Sequence, residues 1–191
     1  MNIRPINISV VAALLGATLI ACSTDAPDYT TAKLDDVEFA VPRDWQPTVQ
    51  SEAGRASVTW GAKRTAHASK STVTVVRARP PGITSATSND QLITLLQQAQ
   101  AGLPDANFGE PSIVQAAPGL VGLQIVGEFT AATAPTAADD RKRQRYQRIH
   151  TILRADTGLV HVLYTAPVGT PIEEQAAYTQ ALAHFHITKG A

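Results

Sequence analysis

The sequence predicts an α+β domain, a mainly antiparallel sheet flanked by two helices. Three observations carry this. Short apolar segments alternate with a period of two and stop at turn signals, among them Pro42, Pro80-Pro81-Gly82 and Pro118-Gly119. Two other segments repeat at helical spacing behind a capping signal, one after Ser88 and one after Thr170. The chain has 191 residues and one cysteine, so its core and not a disulfide must hold the fold.

Val37-Glu38-Phe39-Ala40-Val41 alternates as a short strand ending at Pro42, with Trp45 and Pro47 in a turn behind it. Strands are expected at 56–61 and 72–79, the latter placing Val73, Val75 and Arg77 on one face and Thr74, Val76 and Ala78 on the other. Ser88 stands three residues before Gln91, the spacing of a capping box. Leu92, Leu95, Leu96, Ala99 and Leu103 then form one helical face, with Gly102 as the stop. Segments 112–117 and 120–130 make a hairpin about Pro118-Gly119. Segments 143–154 and 159–166 make a second, joined by Asp156-Thr157-Gly158 with Gly158 at the left-handed position of a three-residue loop. That register sets Leu153 opposite His161 and puts His150 and His161 on opposite faces. A last helix opens with Thr170-Pro171-Ile172-Glu173 and turns Tyr178, Ala181, Leu182 and Phe185 inward.

The N-terminus reads as an export signal. Ile8 to Ile20 is apolar behind a weakly basic start at Arg4, and Leu19-Ile20-Ala21-Cys22 closes it. This tetrapeptide resembles the lipobox of bacterial lipoproteins. The resemblance implies that Cys22 carries a diacylglyceryl group, that the chain is cut before it, and that the new N-terminus is acylated. The apolar run is shorter than the roughly 20 residues of a bilayer span, and more than one acyl chain gives a stable anchor. The expected division is a signal peptide at 1–21, a lipidated flexible tether at 22–34, and one domain at 35–191. The expected location is the extracytoplasmic side of the cell membrane. Removal of 1–21 takes Arg4 and no acid, leaving 15 basic against 16 acidic residues. A near-neutral exported domain gives no argument for nucleic acid.

The stretch Val37-Glu38-Phe39-Ala40-Val41-Pro42-Arg43-Asp44-Trp45 resembles the opening of PsbP-like domains, a strand, a Pro, two residues and a Trp. The closing hairpin, the capped helix and Phe185 resemble their C-terminal end. Together with the lipobox, these features resemble the actinobacterial lipoproteins of the LpqN type, over about residues 35–188. The resemblance implies a PsbP-like sheet flanked by helices, a non-catalytic role and service in the cell envelope.

Reactive chemistry is thinly signalled. There is no G-x-S-x-G elbow, and the one cysteine belongs to the anchor. The five histidines form no zinc motif; His184 and His186 share a face only in an extended segment. The acidic pairs Asp35-Asp36, Asp139-Asp140 and Glu173-Glu174 fall in loops or at a helix start. No cofactor or metal is expected. The densest charge is 141–148, where Arg141, Arg143 and Arg145 project to one side of a strand and Lys142 and Arg148 to the other. With Trp45, these arginines (Arg141, Arg143, Arg145, Arg148) form the candidate binding patch, for an envelope protein, an anionic lipid or a glycan. The same arginines on an edge strand would also prevent edge-to-edge pairing, and Trp45 would equally plug the end of the sheet. The expectation is a non-catalytic envelope-binding lipoprotein. The alternative is an envelope hydrolase or transferase centred on His161.

Overall fold

The computed structural model describes residues 28–52, 55–61, 71–132, 143–156, 158–170 and 172–188. Cys22, the signal segment and Arg141 lie outside them. The elements are β1 (Tyr29–Leu34), β2 (Val37–Pro42), β3 (Gln46–Glu52), β4 (Arg55–Gly61), β5 (Thr72–Ala78), α1 (Asn89–Gln100), β6 (Asn107–Phe108), β7 (Ser112–Ala117), β8 (Leu120–Ala132), β9 (Arg143–Ala155), β10 (Gly158–Pro167), α2 (Ile172–Ala183) and β11 (His186–Ile187).

An eight-stranded sheet runs β3-β4-β5-β10-β9-β8-β6, with β7 also on β8, and a three-stranded sheet runs β1-β2-β11. Every pairing is antiparallel. The period-two alternation of β5, β9 and β10 gives the large sheet two apolar faces. One face lies under α2 and the small sheet. There Val73, Val75, Leu153, Val160, Val162 and Tyr164 meet Ala177, Tyr178, Ala181, Leu182, Phe39 and Phe185. Phe39 stands edge-on to Trp60 at 4.9 Å and stacks on Phe185 at 5.9 Å. The other face carries Leu123, Ile125, Ile152 and Leu159 under Leu92 and Leu96 of α1. Ser88 and Gln91 form the expected capping box.

Four sequence expectations need correction. The tether ends early, because Tyr29–Leu34 is a strand paired along its length with β2. This edge strand buries only Leu34 and leaves Thr30, Thr31 and Lys33 exposed, so its composition looks like a linker. Gln46–Glu52 is likewise an edge strand; Pro47, which suggested a turn, is tolerated there because an edge strand pairs on one side only. The inward row of α1 is Leu92, Leu96 and Gln100, while Ala99 is exposed.

The last correction is the β9–β10 register. Gly158, at φ +97°, pairs with Ala155 across a two-residue loop, so His161 stands opposite Ile152 and not Leu153. A one-residue slip turns every side chain to the other face, and it brings His150 and His161 to the same side. A side chain at 158 would collide with the Ala78 carbonyl.

Gly127 shows how closely β6 lies on β8. A Cβ there would strike the Asn107 carbonyl and the Phe108 ring. Gly127→Ala is therefore expected to destabilise the protein by about 1–3 kcal/mol, measurable by denaturant unfolding. An unchanged midpoint would show that β6 moves away at no cost.

Candidate functional site

The β1–β2 turn places two carboxylates at one end of the large sheet. Asp35 takes a left-handed conformation (φ 56°), which aspartate tolerates better than most residues. Asp36 follows and points at Arg77, which stands on the inward face of β5 and is only 1% exposed. Arg77 Nε donates to Asp36 Oδ1 at 2.6 Å and Nη2 to Oδ2 at 2.9 Å, a bidentate pair, while Nη1 donates to the carbonyls of Ala78 and Leu159 at 3.3 Å. The hydrogen bond from Arg77 holds the Asp36 carboxyl below its ordinary range, against the opposing effect of burial. Beside it, Arg79 pairs with Asp35 and reaches Asp36 at 3.6 Å. The hydrogen bond to Asp35 raises the Arg79 pKa.

These residues form part of a half-enclosed cleft of about 800 Å³. One wall is Phe185, His186, Ile187 and Thr188; the other is the Pro118-Gly119-Leu120 turn with Arg154, Ala155 and Asp156. Arg154 is held by Nε to the Thr87 carbonyl at 2.8 Å and by a hydrogen bond to Asn89 Oδ1, which ties this wall to the start of α1. The lining combines charged groups with the apolar Leu120, Ala155 and Phe185, which suits a ligand with both characters. The volume lies in the range of binding clefts. A second hollow of about 240 Å³ lies beside β1 and β2, lined by Tyr29, Phe39, Gln180 and His184 among others.

The α1-facing side of the sheet carries the histidines. Gln100 Nε2 lies 2.8 Å from His150 Nδ1, and His150 Nε2 lies 3.0 Å from His161 Nδ1. With the amide donating as assigned, His150 passes a proton donor at Nε2 to His161, whose own Nε2 then carries hydrogen. Gln100 Oε1 is buried without a partner among the described residues. Burial, then the neighbouring His161 and Arg148, pushes His150 down to about 3. Burial, then Arg55, pushes His161 down to about 4. Both rings are neutral at neutral pH. The cross-strand neighbours of His161 are Ile152 and Val76, and it lies outside the cleft.

The predicted arginine patch is dispersed. Arg143 and Arg145 are exposed and pair with Asp105 at 3.6 Å and with Glu128. Arg148 is on the opposite face, half-buried, its guanidinium 4.7 Å from the centroid of the Phe129 ring. Trp45 is in the core at 8% exposure and is not a surface contact. His184 and His186 are both exposed, one at the end of α2 and one on β11. Among the described residues no group of three or more His, Cys, Asp or Glu is placed to hold a metal ion, and no helix is long and apolar enough to cross a membrane. Sequence reasoning missed the Asp36–Arg77 pair, although its signal was present: an arginine on an apolar strand face requires a partner.

No family model matches the chain, and no curated protein matches it. Its fold is found in solved structures of low sequence identity. LpqN of Mycobacterium tuberculosis, described as involved in cell envelope biogenesis, superposes with a TM-score of 0.52 at 13% identity, over 85% of this chain and 91% of that one. PA94 of Pseudomonas aeruginosa, of unknown function, gives 0.50 at 12% identity, over 85% and 99%. Cyanobacterial PsbP from Synechocystis gives 0.49 at 14%, over 88% and 98%. The chain is thus similar in fold to LpqN and to PA94.

Proposed function

We propose that this chain is a lipid-anchored cell-envelope protein whose domain binds another envelope component in the cleft between β11 and the β7–β8 turn, without covalent chemistry. The cleft carries the reading: it is open, sizeable, and lined by charged groups fixed by their own hydrogen bonds. The lipobox at Cys22 supports the location, and the likeness in fold to LpqN is consistent with it.

A carrier with an apolar cavity between sheet and helix is less well supported. Small inward residues could have left such a space, but a Cβ on Gly122 would meet Leu153 Cδ2 at 2.6 Å, and Ala177 and Ala181 are packed in the core. A histidine-centred hydrolase is weaker still. A general base works best near the ambient pH, and His161 sits well below it between apolar neighbours.

Two tests address the reading. Cys22→Ser should release the protein from membranes and abolish fatty-acid labelling; persistent labelling would remove the anchor. Arg143→Glu with Arg145→Glu should leave stability within about 1 kcal/mol, since exposed ion pairs contribute little, and should also leave partner capture intact. Loss of capture with unchanged stability would move the site from the cleft to the β9 strand.

A further inference from the structure

The free edge of β11 indicates what kind of ligand the cleft takes. β11 is an outer strand of the small sheet and, among the described residues, pairs with β2 alone. His186 stands opposite Glu38 and Ile187 opposite Val37, and the Thr188 N–H donates to the Asp36 carbonyl at 2.7 Å. Hydrogen-bonded and non-hydrogen-bonded pairs alternate along an antiparallel ladder. The 188/36 and 186/38 pairs are therefore the bonded ones, and the N–H and C=O of Ile187 point away from β2. Among the described residues neither group meets a partner.

This edge is held in place. Phe185, just before it, is 3% exposed, and the Ile187 side chain packs against the core. His186, Ile187 and Thr188 all line the cleft. A fixed, unpaired donor and acceptor at strand geometry match the main chain of an extended peptide, whose strand would lie about 4.8 Å away. A lipid tail would leave both groups without partners. The rim offers Arg79 and Asp35, 44% and 39% exposed, and exposed Asp156 to the side chains of such a peptide.

We infer that the cleft accepts an extended peptide segment of a partner protein, which adds to β11 as a fourth strand of the small sheet through the Ile187 main chain. This rests on the reading of the cleft as the binding site. The test uses the full chain and a displayed library of random heptapeptides. Selected peptides are remade with N-methyl groups at alternate residues, one register at a time. Strand addition predicts at least a tenfold loss of affinity in one register and little change in the other. Ile187→Pro, which removes the outward N–H at an edge position where proline is tolerated, should lose binding by a similar factor, and Ile187→Val should not. The N-methyl series keeps its force if Ile187→Pro fails to fold.

Equal tolerance in both registers, or no selected peptide, would overturn the inference. Backbone amide shifts at Ile187 and Gly119 then separate the two claims. If soluble peptidoglycan glycan strands or phosphatidylglycerol vesicles move these signals, the cleft still binds and the ligand class is wrong. If none of the three probes does, the binding reading fails as well.

Discussion

Asp36→Ala is expected to lower the unfolding free energy by about 3–5 kcal/mol, because it takes the bidentate carboxylate away from a buried guanidinium. In a domain of this size that corresponds to a fall in Tm of roughly 6–20 °C. The side chain of Arg77 is 1% exposed and that of Asp36 17%, so water from the cleft replaces the lost bidentate partner only in part. The same carboxylate receives Arg79 at 3.6 Å, and its main chain accepts from Thr188, so the loss should also loosen β11 and the cleft. Replacing both partners, as in Asp36→Leu with Arg77→Met, should recover much of the deficit, since a buried pair is often no better than well-packed apolar groups. Failure of the single variant to destabilise would mean that the remaining partners of Arg77 suffice to hold it.

The pair also fixes the sign of one acid limb. The folded pKa of Asp36 lies below the ordinary aspartate value of 3.8. Its contribution is therefore full above that value and lost as pH falls through the lower folded one. Asp36→Ala should lack this limb of the stability curve.

A second acid limb, at higher pH, should come from the histidines. His150 and His161 titrate at about 3 and about 4 when folded, against 6.5 for a free imidazole. Between pH 6.5 and about 4 the unfolded chain binds more protons than the folded one. Stability is thus full above 6.5 and falls as pH drops through that window. Each linked proton is worth about 1.36 kcal/mol per pH unit, so even one histidine gives a readily measured slope. The charged groups acting on the pair are Arg148 and Arg55, both positive, which reinforce the effect. His161→Gln, at the half-buried end of the pair, should remove its share of the slope and leave stability above pH 7 little changed. A flat wild-type profile from pH 6.5 to 4 would contradict the buried, hydrogen-bonded geometry.

The sequence was informative wherever one residue pattern dictated one conformation. The capped start of α1 at Ser88, the Pro118-Gly119 hairpin and the alternation of β5 were readable because each depends on local chemistry. Edge strands were not. Tyr29–Leu34 and Gln46–Glu52 are held by a neighbour's main chain, and the first of them and residues 46–50 of the second bury little of their own, so composition carries no trace of them. The β9–β10 register turned on whether Gly158 lies in the loop or the strand, a choice that the pairing with β5 and β8 settles. With that choice went the relation between His150 and His161.

The candidate site was legible only in fragments. Arg77 stood at an inward position and Asp35-Asp36 stood out as an acidic pair, 41 residues apart in sequence, with nothing local to join Asp36 to Arg77. The arginine run at 141–148 was conspicuous because it is contiguous, yet strand alternation and nearby acids divide it. The cleft itself arises from five separated segments, the β1–β2 turn, the end of β5, the β7–β8 and β9–β10 turns, and β11, that only the folded chain brings together.

Photocrosslinking in the producing cells tests the central claim most directly. A photoreactive residue at Asp156, exposed on the cleft wall, is compared with one at Gln98, exposed on α1. The account predicts a discrete adduct from position 156 and none from 98, abolished by Asp36→Ala in the fraction of protein that remains folded. Adducts from 98 alone, or from neither position, would contradict a binding cleft at this end of the sheet.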